Sequence, residues 1–540
     1  MGIFGKKEDN NMSSLPSSQE DGKEETVPLN EYVVVPGRPF PETPGPREDY
    51  LVTFAEDDPE RPINWSMTRR VIAKGIASIC ITFVSWGSSV IAPASPQIKE
   101  RFHIGNVPAA LCVSLYVVGF AVGPMIWGPG SELYGRKLML VTGMCGFTMF
   151  AFACATAENF QTLVICRFFM GTFGCTTLVV GPSISADLFT VTQRGKAVSA
   201  VIFCLVCGPM VAPVVGAFIT NSYLHWRWTQ YITGIMGGLG IILMTFVYEE
   251  TYPQIVLRGK AVRIRKETGN WAVSAPIESM ELDTQEILHR TLLKPLRMMF
   301  VEPILLLISV YQGFVYAILY LCLEALPFIF EHYYHWDKSF PYLPYLGMLT
   351  GSIIVIVINL LFFDPLTASL IEKSGMDIYP ESRLPLMMMC GIVFPIGIFL
   401  MCWSGAYHVQ WIVPTIGAAL LGFGLIGIFL SCLTYIIDCY LLVAASAIAA
   451  NTFIRSSMAG AFPLFALAMF RNLGAQWAGT LLGCLAVLLA PAPYVFFFYG
   501  PAIRKKSKYA KGEDSIDRED LSLQVTADPA TRRSMPDYEW

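Results

Sequence analysis

Long apolar runs alternate with short polar segments along most of the chain. Each run holds roughly 20 residues or more, the length that an α-helix needs to cross about 30 Å of hydrocarbon. Twelve runs fit this pattern, at 71–93, 108–128, 138–157, 161–184, 196–220, 228–249, 302–330, 342–363, 385–404, 410–437, 440–468 and 475–500. The pattern therefore predicts an all-α integral membrane protein with twelve transmembrane helices.

A charged block at 250–300 divides the runs into two sets of six. Two such sets predict two six-helix bundles, an arrangement common among secondary transporters. This duplication rests on hydropathy alone, because the halves share no obvious residue-level repeat. The predicted organisation is a disordered cytosolic N-terminal tail at 1–70, bundles at 71–249 and 301–503 joined by a cytosolic central loop at 250–300, and a disordered cytosolic C-terminal tail at 504–540.

The composition supports a membrane environment. Of the 540 residues, 54% are hydrophobic and only 15% are charged, whereas soluble domains carry about 25% charged residues. Of the 14 cysteines, 13 lie within the apolar runs and Cys439 lies directly between two of them. We expect them to act as small packing residues rather than as the disulfides of a secreted scaffold. We expect a lipid bilayer and a small-molecule substrate as partners, no nucleic acid, and a monomer.

Basic residues are distributed unevenly between the two sets of loops. One set holds most of the basic residues of the central loop together with Arg69, Arg70, Arg136, Lys137, Arg194, Lys196, Lys373, Arg383, Arg504, Lys505, Lys506 and Lys508. The other set holds Lys99, Arg101, Arg227, Lys338 and Arg471. Because cytosolic loops carry the excess of Lys and Arg, both termini are predicted to be cytosolic. The plasma membrane is the predicted location, with the vacuolar membrane as the alternative.

Three ionisable side chains are predicted to lie within the hydrocarbon, where they are costly unless they face a polar interior or a partner. Arg167 of the fourth span is interpreted as functional, with carbonyl capping or a carboxylate partner as the structural alternative. Glu324 of the seventh span is a candidate proton site, unless it lies near enough to the outer interface to be solvated. Arg455 of the eleventh span is expected chiefly to form hydrogen bonds between helices.

A polar cavity is predicted beside the seventh span. Steps of four residues back from Glu324 lead to Tyr320, Tyr316 and Gln312, which share one helical face. This face is suited to bind a cation or a proton. The other candidate lining residues are Ser85 and Ser89 of the first span, for which close packing is the favoured alternative, and Asn451 and Arg455 of the eleventh.

Two motifs stand out among the apolar runs. Gly128–Lys137 reads GPGSELYGRK, so that a glycine–proline breaker ends the second run and a Gly-Arg-Lys turn opens the third. This loop is a candidate conformational gate. In the fifth span, Gly208, Ala212 and Gly216 share one face, and Pro209 and Pro213 predict a bend. Such a helix packs closely against a neighbour.

Catalytic and metal-binding motifs are absent from the sequence. It contains no HExxH, no Walker glycine–lysine loop and no GxSxG, and its six histidines do not fall at metal-ligand spacings. We therefore predict no enzyme, no catalytic residues, no cofactor and no metal site. Without an ATP-binding motif, transport would require an ion gradient.

These motifs resemble those of the major facilitator superfamily, and within it the fungal twelve-span drug:proton antiporters, which include polyamine and multidrug exporters. GPGSELYGRK is similar to the family's loop between helices two and three, with Gly128, Glu132, Gly135, Arg136 and Lys137 at its signature positions. Arg167 with Gly171 resembles the helix-four motif associated with proton coupling. Gly208, Pro209, Pro213 and Gly216 resemble the antiporter motif of helix five, although Ala212 stands where glycine is usual. The resemblance covers about residues 57–503.

The resemblance implies an exporter that works by alternating access, with its site between the halves and helices one, four, seven and ten around the cavity. It implies that protons bind at a site involving Glu324 coupled to Arg167. Glu132 and Arg136 would belong to a charge network that holds the outward-open state, and Asp438 is assigned to the gate as a possible partner of a basic loop residue. Drugs, polyamines, toxins and secondary metabolites remain open as substrates. The alternatives are a proton-coupled importer of a nutrient or organic acid, and a transporter-like sensor.

Overall fold

The computed structural model describes residues 51–55, 57–279, 294–373, 380–407, 409–440, 443–504 and 507. Most of the two predicted tails therefore lies outside the described residues. Within the described part the chain is helical, and its only β-type pairing is a bridge between Leu51 and Ser274.

Helices occupy all twelve predicted runs. The first half contains the spans Met67–Ser89, Asn106–Leu133, Arg136–Ala155, Phe160–Leu188, Val191–Thr220 and Arg227–Ile242. The second half begins with the spans Pro303–His332, Tyr345–Ile358, Leu384–Ala406 and Ile412–Cys439. The segment Ala444–Leu489 contains the eleventh span and the start of the twelfth, which ends with Ala492–Arg504. The sixth and eighth spans continue through the π-helical turns Leu243–Val247 and Asn359–Phe363, and the eighth then extends as Asp364–Lys373.

The 46-residue segment Ala444–Leu489 is two helices rather than one. Gly474 within it has φ 75° and ψ 162°, a left-handed φ that only glycine adopts readily. The helix is interrupted at this residue, so the eleven long apolar segments of the described chain correspond to twelve spans.

The spans pack within each half and meet at two main places between the halves. The fourth span packs on the second and third, and the fifth on the first; in the other half, the tenth span packs on the eighth and ninth. The halves meet where the second span contacts the eleventh and the fifth contacts the eighth. We call the side of the bundle where the first span begins, at Met67, the proximal side, and the side of the short helix Ser95–Phe102 the distal side.

The end of the N-terminal tail differs from the prediction of disorder. Val52 and Phe54 pack against the helix Pro253–Thr268 of the central segment, where they cover Leu257 and Ala261. Asp58 also pairs with Lys260 at 2.5 Å. We name residues 51–55 and 57–60 the N-terminal clasp. The sequence did not predict the clasp, because its composition is polar and the residues that it contacts lie about two hundred positions later in the chain.

Candidate functional site

Arg167 lies at the centre of the first half, where it is fully buried. Its Nε donates to the Cys112 carbonyl at 2.8 Å, its Nη1 to that of Gly87 at 2.7 Å and its Nη2 to that of Ser88 at 3.0 Å. Its guanidinium also lies 4.4 Å from the centre of the Tyr116 ring. Within the described chain it pairs with no carboxylate, so the contacts match the carbonyl-capping alternative and join the first, second and fourth spans.

Glycine at position 171 permits this enclosure. A Cβ atom there would overlap the Tyr116 carbonyl oxygen, so only glycine lets the second and fourth spans approach so closely. The spacing of Arg167 and Gly171 in the sequence thus has a direct structural reason.

A chain of hydroxyl groups connects Arg167 to the second half. The Tyr320 hydroxyl donates to Ser88 Oγ at 2.9 Å, and the Tyr316 and Tyr320 hydroxyls lie 3.3 Å apart. Both tyrosines are fully buried. Tyr316 and Tyr320 of the predicted seventh-span face are therefore connected to Arg167 through Ser88. The sequence analysis did not select Ser88, because Ser85 and Ser89 of the same span look equivalent to it.

Arg455 reaches the same interface from the eleventh span. Its guanidinium lies 5.2 Å from the Tyr316 ring centre and 4.8 Å from that of Phe429, and it makes no hydrogen bond to any described residue. The expected interhelical hydrogen bond comes instead from the residue one turn earlier, since Asn451 Nδ2 donates to Ser309 Oγ at 3.1 Å. The expectation for Arg455 was wrong because its side chain packs on aromatic rings.

Glu324 lies apart from this cluster, whereas Gln312 contacts its member Phe429. Glu324 is half-buried, and the charges that act on it are those of Lys99, Glu331 and Arg471 rather than that of Arg167. Gln312 Nε2 contacts the Phe429 carbonyl at 3.5 Å. The structure therefore does not bring Glu324 and Arg167 into contact.

The first span packs tightly on the fifth. Ser85 is buried, and its Oγ lies 2.7 Å from the Ile81 carbonyl oxygen and 3.1 Å from that of Cys204. A Cβ on Gly208 would overlap Ser85 Oγ. Close packing thus describes Ser85, whereas the buried Ser89 hydroxyl has no partner among the described residues.

The remaining positions of the fifth-span motif follow the same interface. A Cβ on Gly216 would lie 2.5 Å from the Val90 carbonyl oxygen, and Ala212 is buried against Trp86 and Val90. The helix continues through Pro209 and Pro213. Alanine at position 212 therefore still permits close packing.

The loop Gly128–Lys137 ends in a capped helix on the proximal side. Glu250 Oε1 accepts from the Arg136 N–H and Oε2 from the Lys137 N–H, both at 3.0 Å. This places a carboxylate on the two first N–H groups of the third span, where the helix dipole favours a negative charge. Arg136 is buried and donates to Asp187 at 3.2 Å.

Glu132 takes part in this network through its charge and not through a direct contact. It is exposed and forms no ion pair with any described residue, but its charge acts on Arg136 and Asp187, while Asp187 and Glu250 bind Arg136 directly. Asp187 lies near the end of the fourth span, yet its side chain is only 11% exposed. Sequence motifs indicate the arginine, while its acidic partners come from distant spans.

The second half repeats this arrangement. Arg383, at the start of the ninth span, donates to Asp438 at the end of the tenth at 3.0 Å, as Arg136 of the third span does to Asp187 of the fourth. A second bridge at 2.9 Å joins Arg504 to Glu381. The halves thus share a residue-level repeat after all, hidden in the sequence because its members differ in motif and spacing.

Lys74 of the first span was missed by the sequence analysis. It is 6% exposed, and its Nζ donates to the Gly181 carbonyl at 2.8 Å and to Ser185 Oγ. Lys74 could have been identified from the sequence, because it lies inside the first apolar run, whereas Arg69 and Arg70 precede that run.

A small void lies between the halves beside Arg455 and Thr452. Its volume of about 20 Å³ is room for roughly one water molecule. The other lining residues, nearly all apolar, come from the first, fourth, fifth, tenth and eleventh spans: Ile81, Leu178, Pro182, Val201, Ile202, Leu205, Leu433 and Ile448.

Comparison with known proteins places these features in a family. The family profile described as Major Facilitator Superfamily matches residues 77–463. The chain is 46% identical over 478 residues to the major facilitator superfamily multidrug transporter FLU1 of Candida albicans, covering 88% of this chain and 78% of the relative. It is 45% identical over 477 residues to the multidrug transporter TPO1_2 of Candida glabrata, covering 88% and 82% of the two chains.

Solved structures match the fold. The chain aligns with the xylose transporter XylE from E. coli in a partially occluded inward-open conformation, with a TM-score of 0.56 and 18% identity over 80% of this chain and 99% of that one. A D-xylose–proton symporter aligns with a TM-score of 0.57 and 17% identity, covering 82% and 99%. At this identity the likeness concerns the fold alone, and the predicted twelve-helix fold of two bundles is confirmed.

Proposed function

The chain belongs to the major facilitator superfamily and is a multi-pass membrane transporter, not an enzyme, and from this premise we propose that it exports small organic molecules in exchange for protons. Relatives in fungi that are named multidrug transporters support a broad range of substrates. The observation that carries the proposal is the buried polar cluster of Arg167, Ser88, Tyr320, Tyr316 and Arg455, which joins the two halves at their interface. A site shared by both halves is what alternating access requires.

Both ends of this interface are closed in the structure, which supports an occluded intermediate. On the distal side, Asn221 Nδ2 donates to Ser339 Oγ at 3.1 Å, and Ser339 Oγ donates to the Ala217 carbonyl at 3.0 Å. On the proximal side, Asn359 Nδ2 donates to Ser199 Oγ at 3.3 Å. Opening one set of contacts while keeping the other gives the two access states.

The proton enters the proposal at Glu324. A half-buried carboxylate in a span is the kind of group that carries protons in transporters, and Tyr320, one turn away, contacts Ser88, which bonds Arg167. Protonation of Glu324 would therefore alter the seventh-span face that connects to Arg167. Coupling then requires only that proton and substrate favour different conformations.

The orientation and location complete the proposal. The excess of Lys and Arg on the proximal side supports a cytosolic position for that side and for both termini. We place the protein in the plasma membrane, as a monomer, with Arg136, Asp187 and Glu250 as a latch that holds the proximal side closed in the outward-open state.

Growth and flux measurements test export. Expression in a pump-deficient yeast should raise resistance to one or more compounds in a panel of azoles, amines and weak acids. The compound with the largest effect is then used in proteoliposomes loaded with a pH-sensitive dye. An imposed proton gradient should drive its movement opposite to the protons; sensitisation of growth would indicate import, and binding without flux would indicate a sensor.

Glu324→Gln tests the proton site. We expect this substitution to remove gradient-driven transport, by about tenfold or more, while substrate-driven exchange without a gradient continues. Glu158→Gln, an exposed acid of the distal side that is not among the charges acting on Glu324, is the control and should transport normally. Arg167→Lys keeps the charge but loses the planar fork that reaches three carbonyls, so we expect lower transport with a lower unfolding temperature. Gradient-driven transport at the unmodified rate in both Glu324→Gln and Arg167→Lys would contradict the assignment.

A further inference from the structure

Arg455 differs from the other buried cations of the described chain in having no hydrogen-bonding partner. Arg167 binds three carbonyls and Lys74 binds a carbonyl and a hydroxyl. Arg136 and Arg383 each bind a carboxylate. Arg455 is 5% exposed, and its Nε is buried without any acceptor.

The two aromatic rings beside Arg455 do not satisfy its donors. Tyr316 and Phe429 contribute cation–π attraction at 5.2 and 4.8 Å, which is directed to the ring faces. A guanidinium carries five N–H donors and favours planar anions such as carboxylates. A buried charge without such partners is unfavourable, so the described chain leaves this guanidinium without the acceptor group that it requires.

The surroundings of Arg455 define the chemistry of that group. The void beside it is lined by Thr452 and by eight apolar residues, and no carboxylate is among its lining. Glu324 is not among them either. The wall thus offers one cation and one hydroxyl within an apolar enclosure, which fits an anionic head on a hydrophobic body and gives an organic cation no counter-charge.

We propose that Arg455 is the anion-binding element of the substrate site and that the transported molecules include organic monocarboxylates with an apolar body. This inference rests on the proposed transport function and specifies its substrate class. It places polyamines outside the preferred substrates, because each added positive charge would face Arg455.

A matched series of probes tests the preference. The purified full-length protein is titrated at pH 7 with 4-phenylbutyrate, 4-phenylbutan-1-ol and 4-phenylbutylamine, which share one body and differ in head-group charge. Affinity is measured by calorimetry and by the shift of the unfolding temperature. A hydrogen bond to a charged group corresponds to roughly tenfold to a hundredfold in affinity, so we expect the carboxylate to bind at least about tenfold more tightly than the alcohol, and the amine most weakly.

Variants assign the preference to one side chain. Arg455→Gln should bind the carboxylate and the alcohol equally, and its retained binding of the alcohol shows that the fold is intact. Arg455→Lys should keep part of the preference, since it keeps the charge but not the fork. Arg101→Gln, which changes an exposed arginine of the distal helix Ser95–Phe102, should behave as the unmodified protein.

Several outcomes would overturn the proposal. Equal or tighter binding of the amine or alcohol to the unmodified protein would do so without any variant, as would an undiminished preference in Arg455→Gln. Sodium chloride is the fourth probe, and stabilisation equal to that by phenylbutyrate would indicate a small inorganic anion instead of a substrate. Carboxylate-selective binding without flux in proteoliposomes would contradict transport alone, whereas flux without this selectivity would contradict the present inference alone.

Discussion

Gly135 precedes the third span and is constrained in two independent ways. Its φ of 94° lies in the left-handed region, and a Cβ atom there would lie 2.5 Å from Glu250 Oε2. The second constraint matters for function, because the same carboxylate oxygen accepts from the Lys137 N–H. A side chain at this position would therefore strain the backbone and displace the cap of the third span.

Gly135→Ala is expected to lower the free energy of unfolding by about 1–3 kcal/mol and to loosen the proximal latch. Gly75→Ala is the matched control, since nothing lies within 4 Å of the site of its added Cβ and alanine is favoured in a helix. The unfolding temperature in detergent and hydrogen exchange at residues 131–140 measure both effects. Equal unfolding temperatures for the two variants would contradict the argument.

The sequence identified single residues that follow a local pattern, such as a charge within an apolar run. It did not identify their partners, because those partners lie far away along the chain. Arg167 was found because a charge within an apolar run is costly, and Arg136 because of its loop motif. The acids that bind Arg136 lie 51 and 114 residues away, and no spacing rule connects them. The same reason hid Ser88, whose partner Tyr320 belongs to the other half of the molecule.

Transmembrane elements were predictable because hydropathy is a property of each segment by itself. All twelve runs became helices, and the breaks fell at glycines, prolines and polar loops. The N-terminal clasp was not predictable, since its polar sequence resembles a disordered tail and its order comes from contacts with Pro253–Thr268. Helices whose formation depends on their own segment can thus be predicted from the sequence, whereas a segment ordered by contacts with a distant part of the chain cannot.

The clasp depends on the buried carboxylate of Asp58. Burial raises the pKa of this group, but the hydrogen bond from Lys260, the N–H of Glu60 and the Lys260 charge outweigh it, so the pKa lies below its ordinary value. A lowered pKa means that the stabilisation is present above the unfolded-state pKa of about 3.9 and is lost as the pH falls through the folded-state value. The clasp should therefore stay closed from pH 8 to pH 5.

Asp58→Asn is expected to open the clasp at neutral pH. Loss of a charged hydrogen bond should increase chymotryptic cleavage after Phe54 by about fivefold or more, as measured by mass spectrometry of the released peptides. The unmodified protein should keep one cleavage rate relative to an unstructured peptide from pH 8 to pH 5. Asp57→Asn, at the exposed neighbouring residue, is the control. Opening of the unmodified clasp between pH 7 and pH 5, or equal cleavage in the two variants, would refute the role of Asp58.

At the scale of the whole molecule, hydrogen bonds join the two halves at both ends of their interface. Hydrogen bonds around Ser339 close the distal end, and the one between Asn359 and Ser199 closes the proximal end. Between them lies the buried cluster around Arg167, Tyr320 and Arg455. In the proposed alternating-access mechanism the central site opens to one side at a time, and these two sets of bonds would oppose opposite movements.

Single substitutions should therefore shift the access equilibrium in opposite directions. Ser339→Ala weakens distal closure and should raise hydrogen exchange at residues 217–225 while lowering it at 195–200; Asn359→Leu should do the reverse. One hydrogen bond is worth about 1 kcal/mol, so each population ratio should change about fivefold. The double variant should return towards the unmodified balance, because both closures are weakened together.

Thr350→Ala is the control for this experiment, since the Thr350 hydroxyl bonds only the Gly347 carbonyl of its own helix and is exposed. It should leave exchange at both ends unchanged. If Ser339→Ala and Asn359→Leu raised exchange at the same end, the two contacts would belong to one closure rather than two. The occluded arrangement would then not be an intermediate between two access states, and the alternating movement would have to arise from contacts other than these.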